Sequence, residues 1–137
     1  PVASGKLDMC MGSRFITHEG FQTSFMRRVG IHLLSGMIRV LCGRKVQDVT
    51  SGFRATSAEM TAFFARHYAS DYPEPEAVLA ASLAGFRVGE APVVMHERLG
   101  GVSSISALKS VYYMLKVSLS LIIDRLAISR HRLRREK

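Results

Sequence analysis

An open, mixed α/β fold is what the sequence predicts, and three observations lead there. Short apolar or alternating runs occur near Met9–Met11, after Gly52 and over Phe86–Met95, and segments with three- and four-residue apolar spacing lie between and beyond them. The 137 residues are 47% hydrophobic and 22% charged, enough for one buried core and too apolar for a disordered chain. No internal repeat or low-complexity tract interrupts this pattern apart from a basic C-terminal tail.

Met9, Cys10 and Met11 precede Gly12-Ser13-Arg14-Phe15, which reads as a buried strand running into a small-residue turn. From Ser24 to Leu41, Phe25, Val29, Leu33, Leu34, Met37, Ile38 and Leu41 recur at helical steps between Arg27, Arg28, His32, Ser35 and Arg39, so an amphipathic helix closed by Gly43 is expected. Gln47 to Arg54 is polar and turn-prone at first and then reads as a short strand. Ser57 followed by Glu59 and Met60–Tyr68 reads as a capped second helix. Two prolines two residues apart keep Asp71–Glu76 out of a helix interior, so the third helix is expected to begin at Pro75, with Glu76 in its first turn, and to end at Gly85. Phe86–Met95 is β-branched and contains Pro92, the mark of an edge strand or of two short strands. After Arg98-Leu99-Gly100-Gly101-Val102-Ser103-Ser104 a long helix runs from about Ile105 to Ala127, with the apolar stripe Leu108, Val111, Tyr112, Leu115, Leu119, Ile122, Ile123 and Leu126. The chain thus divides into residues 1–104, an α/β part, and 105–137, an amphipathic helix and basic tail.

Charge and composition narrow the function classes. The net charge is +8, and residues 125–137 alone hold six basic residues and one acidic one. The surplus therefore belongs to the tail and its partners. Cys10 and Cys42 form no CxxC, and His18, His32, His67, His96 and His131 show no HExxH or Cys/His spacing, so neither a disulfide framework nor a metal site is expected from these residues. Ser/His/Asp catalysis lacks a GxSxG elbow. Leu108–Leu126 is broken by Lys109, Lys116, Asp124 and Arg125, whereas a spanning helix needs about 20 predominantly apolar residues. The chain opens on Pro1 with no signal-peptide progression and reads as a piece of something longer.

Four constellations carry chemistry. Arg98-x-x-Gly101-x-Ser103 has a guanidinium, close-approach glycines and a hydroxyl at a helix start, the ingredients of a phosphate clamp; the same residues also make a plain turn and cap. Asp48, between a helix end and Gly52, suits a base or a cation ligand, and an Asx-turn equally. Glu74 and Glu76, stiffened by prolines, suit a general base or a favourable helix N-terminal charge. Arg27, Arg28, Arg39, Arg44 and Lys45 are able to bind phosphate, or form a solvated face.

In order along the chain, Gly12-Ser13-Arg14-Phe15, an Arg-bearing helix, Asp48-x-Thr50-Ser51-Gly52-Phe53-Arg54, Tyr72-Pro73-Glu74-Pro75-Glu76, Glu90-x-Pro92-Val93 and Arg98-x-x-Gly101-x-Ser103-Ser104 resemble the C-terminal half of a family 2 glycosyltransferase related to dolichyl-phosphate mannosyltransferase and bacterial polyprenyl-phosphate glycosyltransferases. The resemblance covers about Met9 to Ser104, and the Asp48–Arg54 block is its most specific part. It implies the acceptor-side part of a GT-A fold, Rossmann-like with an open mixed sheet, whose nucleotide-binding half lies upstream. That half carries an Asp-x-Asp motif holding a divalent cation, magnesium or manganese, so the residues here are expected to be inactive alone. Asp48 matches the acidic residue expected to deprotonate or orient the acceptor, and Glu76 competes for that role. With an ionised phosphate acceptor, either carboxylate serves orientation or metal binding instead. Arg98, Gly101 and Ser103 match a loop closing on the diphosphate of the nucleotide sugar. Arg28, and Arg27 beside it, fall where relatives face a lipid-linked acceptor phosphate, and Arg54 closes the most specific block as a substrate-binding candidate. Many relatives have Lys after the loop serine, where Ser104 stands here.

Lys109 and Lys116, followed by Arg130, Arg132, Arg134, Arg135 and Lys137, suit an anionic membrane, where each cation near the surface contributes about 1 kcal/mol. The expected partners are thus a nucleotide sugar, a polyprenyl phosphate and the cytoplasmic membrane face of the cell envelope; an integral membrane partner is compatible and no nucleic acid is expected. A family 2 transferase elongating a polysaccharide or glycan, and a non-enzymatic basic module gripping membrane or nucleic acid, are the alternatives. Packing of the long helix on the rest of the domain, with a solubilising tail, explains the same residues.

Overall fold

A computed structural model describes residues 1–17, 25–67, 73–96 and 107–135, with side chains of the last segment described over 112–127. The described residues form a mixed α/β unit of three strands and four helices. Strand β1, Met9–Ser13, is buried along its whole length, as an apolar run with small residues at its end requires. It occupies the middle of the sheet, with β2 (Arg54–Thr56) antiparallel on one side and β3 (Val88–Pro92) parallel on the other. Pairing runs from Met9 with Thr56 to Met11 with Arg54, and from Met9 with Val88 to Ser13 with Pro92. Pro92 therefore closes an edge strand, the position where a missing N–H is harmless.

Parallel β1 and β3 require a long crossover, and helices fill it. Helix α1, Phe25–Cys42, ends at Gly43, which adopts φ 73° and donates its N–H to the Arg39 carbonyl at 2.9 Å. Helix α2, Ala58–His67, is capped by Ser57, whose Oγ accepts the Met60 N–H at 3.2 Å. Helix α3, Pro73–Leu83, begins two residues before the expected Pro75. Both prolines fit because the N–H groups of a first turn have no intrahelical acceptor to lose.

Helix α4, Ala107–Arg135, is longer than expected and takes in most of the basic tail. Met9 and Met11 share one face of β1 and pack with Leu34 and Ile38 of α1, Met60 of α2, Val78 and Leu79 of α3, and Val117 and Leu121 of α4. The inward side of α4 corrects the stripe read from the sequence. Tyr112, Leu115, Leu119, Ile122, Ile123 and Leu126 are exposed, whereas Val117 and Leu121 are 0% exposed. Three fixings decide the rotation. Ser120 Oγ donates to Glu76 of α3, Arg125 Nε donates to the Leu41 carbonyl of α1 at 2.8 Å, and Met114 lies against Gly30, where a Cβ would meet its sulfur at 3.0 Å. Helix α1 behaves alike: Ile31, Leu34 and Ile38 are buried, while Phe25, Val29 and Leu33 of the expected stripe are exposed.

Away from the core, Arg87 closes the loop before β3 on Asp8. Its Nη2 meets Oδ1 at 2.7 Å, its Nε meets Oδ2 at 3.0 Å, and its Nη1 reaches the Gly5 carbonyl at 2.7 Å. The hydrogen bonds from Arg87 hold the Asp8 carboxyl at about 2, down from 3.8. Between these values the unfolded chain binds the proton first, so this contribution is complete above about pH 4 and disappears as pH falls toward about 2. Titrating Asp8 by NMR is expected to give that depressed value, and Arg87→Ala to return it toward 3.8.

Candidate functional site

The carboxyl end of β1 delivers its chain directly into a polar cluster. Arg14, the residue after β1, donates Nε to Asp48 Oδ2 and Nη2 to Asp48 Oδ1, both at 2.7 Å, and its backbone N–H lies 3.3 Å from Oδ2. This is a forked, charge-assisted pair in which Asp48 is 0% exposed and the Arg14 side chain is 11% exposed. Thr50 Oγ1 adds a longer bond to Asp48 Oδ1 at 3.4 Å. The Asp48 side chain is thus turned toward another segment, and the turn itself is closed by the backbone, Ser51 N–H to the Asp48 carbonyl at 3.0 Å.

Glu90 of β3 completes the cluster from the opposite side. Its Oε1 accepts the Asp48 N–H at 2.7 Å and its Oε2 the Gln47 N–H at 2.8 Å. Register explains the approach, since Glu90 pairs with Met11 of β1, three residues before Arg14. The Arg14 guanidinium also covers the Phe15 ring at 5.5 Å, and that ring lies 5.8 Å from the His32 ring of α1. Arg14 Nη1 has no hydrogen-bond acceptor among the described residues. The guanidinium is therefore held through Nε and Nη2. Open α/β sheets bind ligands outside the carboxyl ends of their parallel strands, which is where this cluster lies.

Arg54 links that turn to the start of α3. Its Nε donates to the Ser51 carbonyl at 2.8 Å, and its Nη2 reaches the Val49 carbonyl at 3.4 Å and the Glu74 carbonyl at 2.8 Å. The substrate-binding candidate Arg54 thus acts as a backbone staple in this structure. Glu76, two residues beyond the stapled carbonyl, is buried and accepts the Ser120 hydroxyl. Asp48 and Glu76 therefore belong to neighbouring chain segments but direct their carboxylates to different partners. Burial raises the carboxyl of Asp124, one turn after Ser120, above its ordinary value.

Arg27 is exposed on α1, and Arg28 is half-buried, its Nε enclosed without a partner among the described residues. Ser51 Oγ is likewise buried and unpartnered among the described residues, in the middle of the Asp48–Arg54 block. Arg98, Gly101 and Ser103 lie outside the described residues.

Sequence reasoning gave no role to Arg14 or Glu90, although both stand within the quoted motifs. The adjacency of Arg14 to the strand end was the available signal; nothing local marks Glu90 as a backbone acceptor. No group of three or more His, Cys, Asp or Glu side chains able to hold a metal occurs among the described residues, so they offer no donor set for the implied divalent cation. No described helix is long and apolar enough to cross a membrane. The chain matches no family model, no curated protein and no solved structure.

Proposed function

We propose that the chain is the acceptor-side part of a family 2 glycosyltransferase of GT-A architecture, transferring a sugar from a nucleotide sugar to a polyprenyl phosphate at the cytoplasmic membrane face. The observation that carries this reading is the forked Arg14–Asp48 pair at the carboxyl end of β1. An ionised phosphate acceptor needs a fixed cation and no base. Its oxygen attacks the anomeric carbon, and the bond from that carbon to the nucleoside diphosphate breaks on the opposite face. The leaving diphosphate carries away the electron pair, and no proton has to be removed.

In this role Asp48 is a positioning residue, which fixes the plane of the Arg14 guanidinium while Thr50 supports it. Glu76 holds α3 to α4 through Ser120. The loop with Arg98, Gly101 and Ser103 is assigned to the diphosphate, and the divalent cation to the upstream half. The exposed apolar residues of α4 and the neighbouring basic residues Lys109 and Lys116 support the membrane location.

The test is sugar transfer by the full-length protein from a labelled nucleotide sugar to polyprenyl phosphate. Arg14→Lys keeps the charge and removes the fork, and is expected to lower transfer about 100-fold; Asp48→Asn and Arg98→Ala are expected to lower it by similar factors. Folded variants that all transfer at the wild-type rate would reject the reading.

A further inference from the structure

A second basic feature lies on a different side of α1 from the face that meets α4. His32, Ser35 and Arg39 follow one another at three- and four-residue steps, and Arg39 is about half a turn around the helix from Gly30, where Met114 packs. After Gly43 the chain turns back past this face, bringing Lys45 and Gln47 beside it. Together these residues line an open hollow of about 220 Å³. Small-molecule pockets usually measure roughly 300–1,000 Å³, so this hollow suits a compact group.

Its lining contains no carboxylate. Arg39 and Lys45 are both exposed, and neither side chain has a hydrogen bond or ion pair among the described residues. By contrast, Arg14, Arg44, Arg54, Arg87 and Arg125 each donate to a protein oxygen. The two cations facing one hollow repel each other unless an anion joins them. The surrounding frame is fixed. Ser35 Oγ donates to the Gln47 carbonyl at 3.1 Å, Glu90 holds the Gln47 N–H at 2.8 Å, and the His32 ring lies 5.8 Å from that of Phe15. The turn carrying Lys45 is therefore anchored before any ligand arrives, which lowers the ordering cost of binding.

We infer that this hollow binds a phosphate or diphosphate group, with Arg39 supplying a planar fork, Lys45 a point charge and His32 a ring N–H. The inference is independent of the transferase reading. The group belongs either to a soluble phosphate compound or to a lipid headgroup, and the two sources are separable by experiment.

The test measures inorganic pyrophosphate binding by calorimetry and amide NMR, and pelleting with phosphatidylcholine vesicles with and without phosphatidic acid. Pyrophosphate is expected to shift the amides of His32, Arg39, Lys45 and Gln47. Arg39→Gln with Lys45→Gln is expected to weaken binding about tenfold or more, while Arg66→Gln, an exposed charge on α2, leaves it unchanged. Dependence on Arg39 and Lys45 with pyrophosphate assigns a soluble phosphate; dependence with phosphatidic acid vesicles alone assigns a lipid headgroup. Arg39→Lys, which keeps the charge, is the second variant if the double variant loses its circular dichroism spectrum, and is expected to weaken binding about threefold. Wild-type binding of both probes by the folded variants, or equal weakening by Arg66→Gln, overturns the inference.

Discussion

Replacing Asp48 with alanine is expected to lower the unfolding free energy by about 3–5 kcal/mol, because it leaves the Arg14 guanidinium enclosed and unpaired. The loss is the cost of an uncompensated cation in a desolvated site rather than the net worth of the pair. The distinction has a measurable consequence. Arg14→Met combined with Asp48→Leu removes both charges, and urea unfolding is expected to recover most of the stability lost in Asp48→Ala. Glu90 remains in that double variant, so the N–H groups of Gln47 and Asp48 stay satisfied. In the full-length protein, the folded double variant then tests the proposed transfer apart from stability: on that proposal, sugar transfer is lost with the fixed cation. A double variant as unstable as Asp48→Ala would contradict this account of the site.

The other large effect separates the two faces of α4. Leu115, Leu119 and Ile122 are 67%, 59% and 42% exposed, so changing all three to serine is expected to leave the melting temperature within a few degrees of wild type. Binding to anionic vesicles is expected to fall about 100-fold, from roughly 1 kcal/mol of apolar burial lost per side chain. Leu121→Ala is expected to behave in the opposite manner. Its side chain is 0% exposed within the core, and truncation costs about 2–5 kcal/mol of stability while the exposed apolar residues remain. Vesicle pelleting at matched ionic strength, alongside thermal unfolding, measures both results. Equal vesicle binding by the triple-serine variant would remove the membrane from the proposal.

The contrast between those faces also marks how far sequence patterning reached. Helical periodicity located α4, but over residues 112–127 more of its apolar side chains face outward than inward. Hydrophobicity alone ranks the stripes in the wrong order, because the choice was made by Ser120 meeting Glu76, by Arg125 meeting the Leu41 carbonyl and by the room beside Gly30. The early start of α3 has a similar origin, since first-turn positions tolerate both Pro73 and Pro75. The candidate site was legible in part. Asp48 and Glu76 stood out by their turn and proline context, whereas their partners did not. Asp48 meets a guanidinium 34 positions earlier and a helping carboxylate 42 positions later, and no local spacing encodes either meeting.

Local rules therefore determined a good deal unaided: the buried strand at Met9–Met11, the Ser57 cap, the Gly43 stop and a strand at Pro92. These depend on φ preferences, missing donors and side-chain period, all of which lie within a few residues. Tertiary structure alone decided which apolar face of α4 is buried, which arginine faces Asp48, and that Arg54 fastens one turn to the next helix. Those outcomes depend on contacts between segments far apart in sequence, where buried polar groups must find partners in a low-dielectric interior.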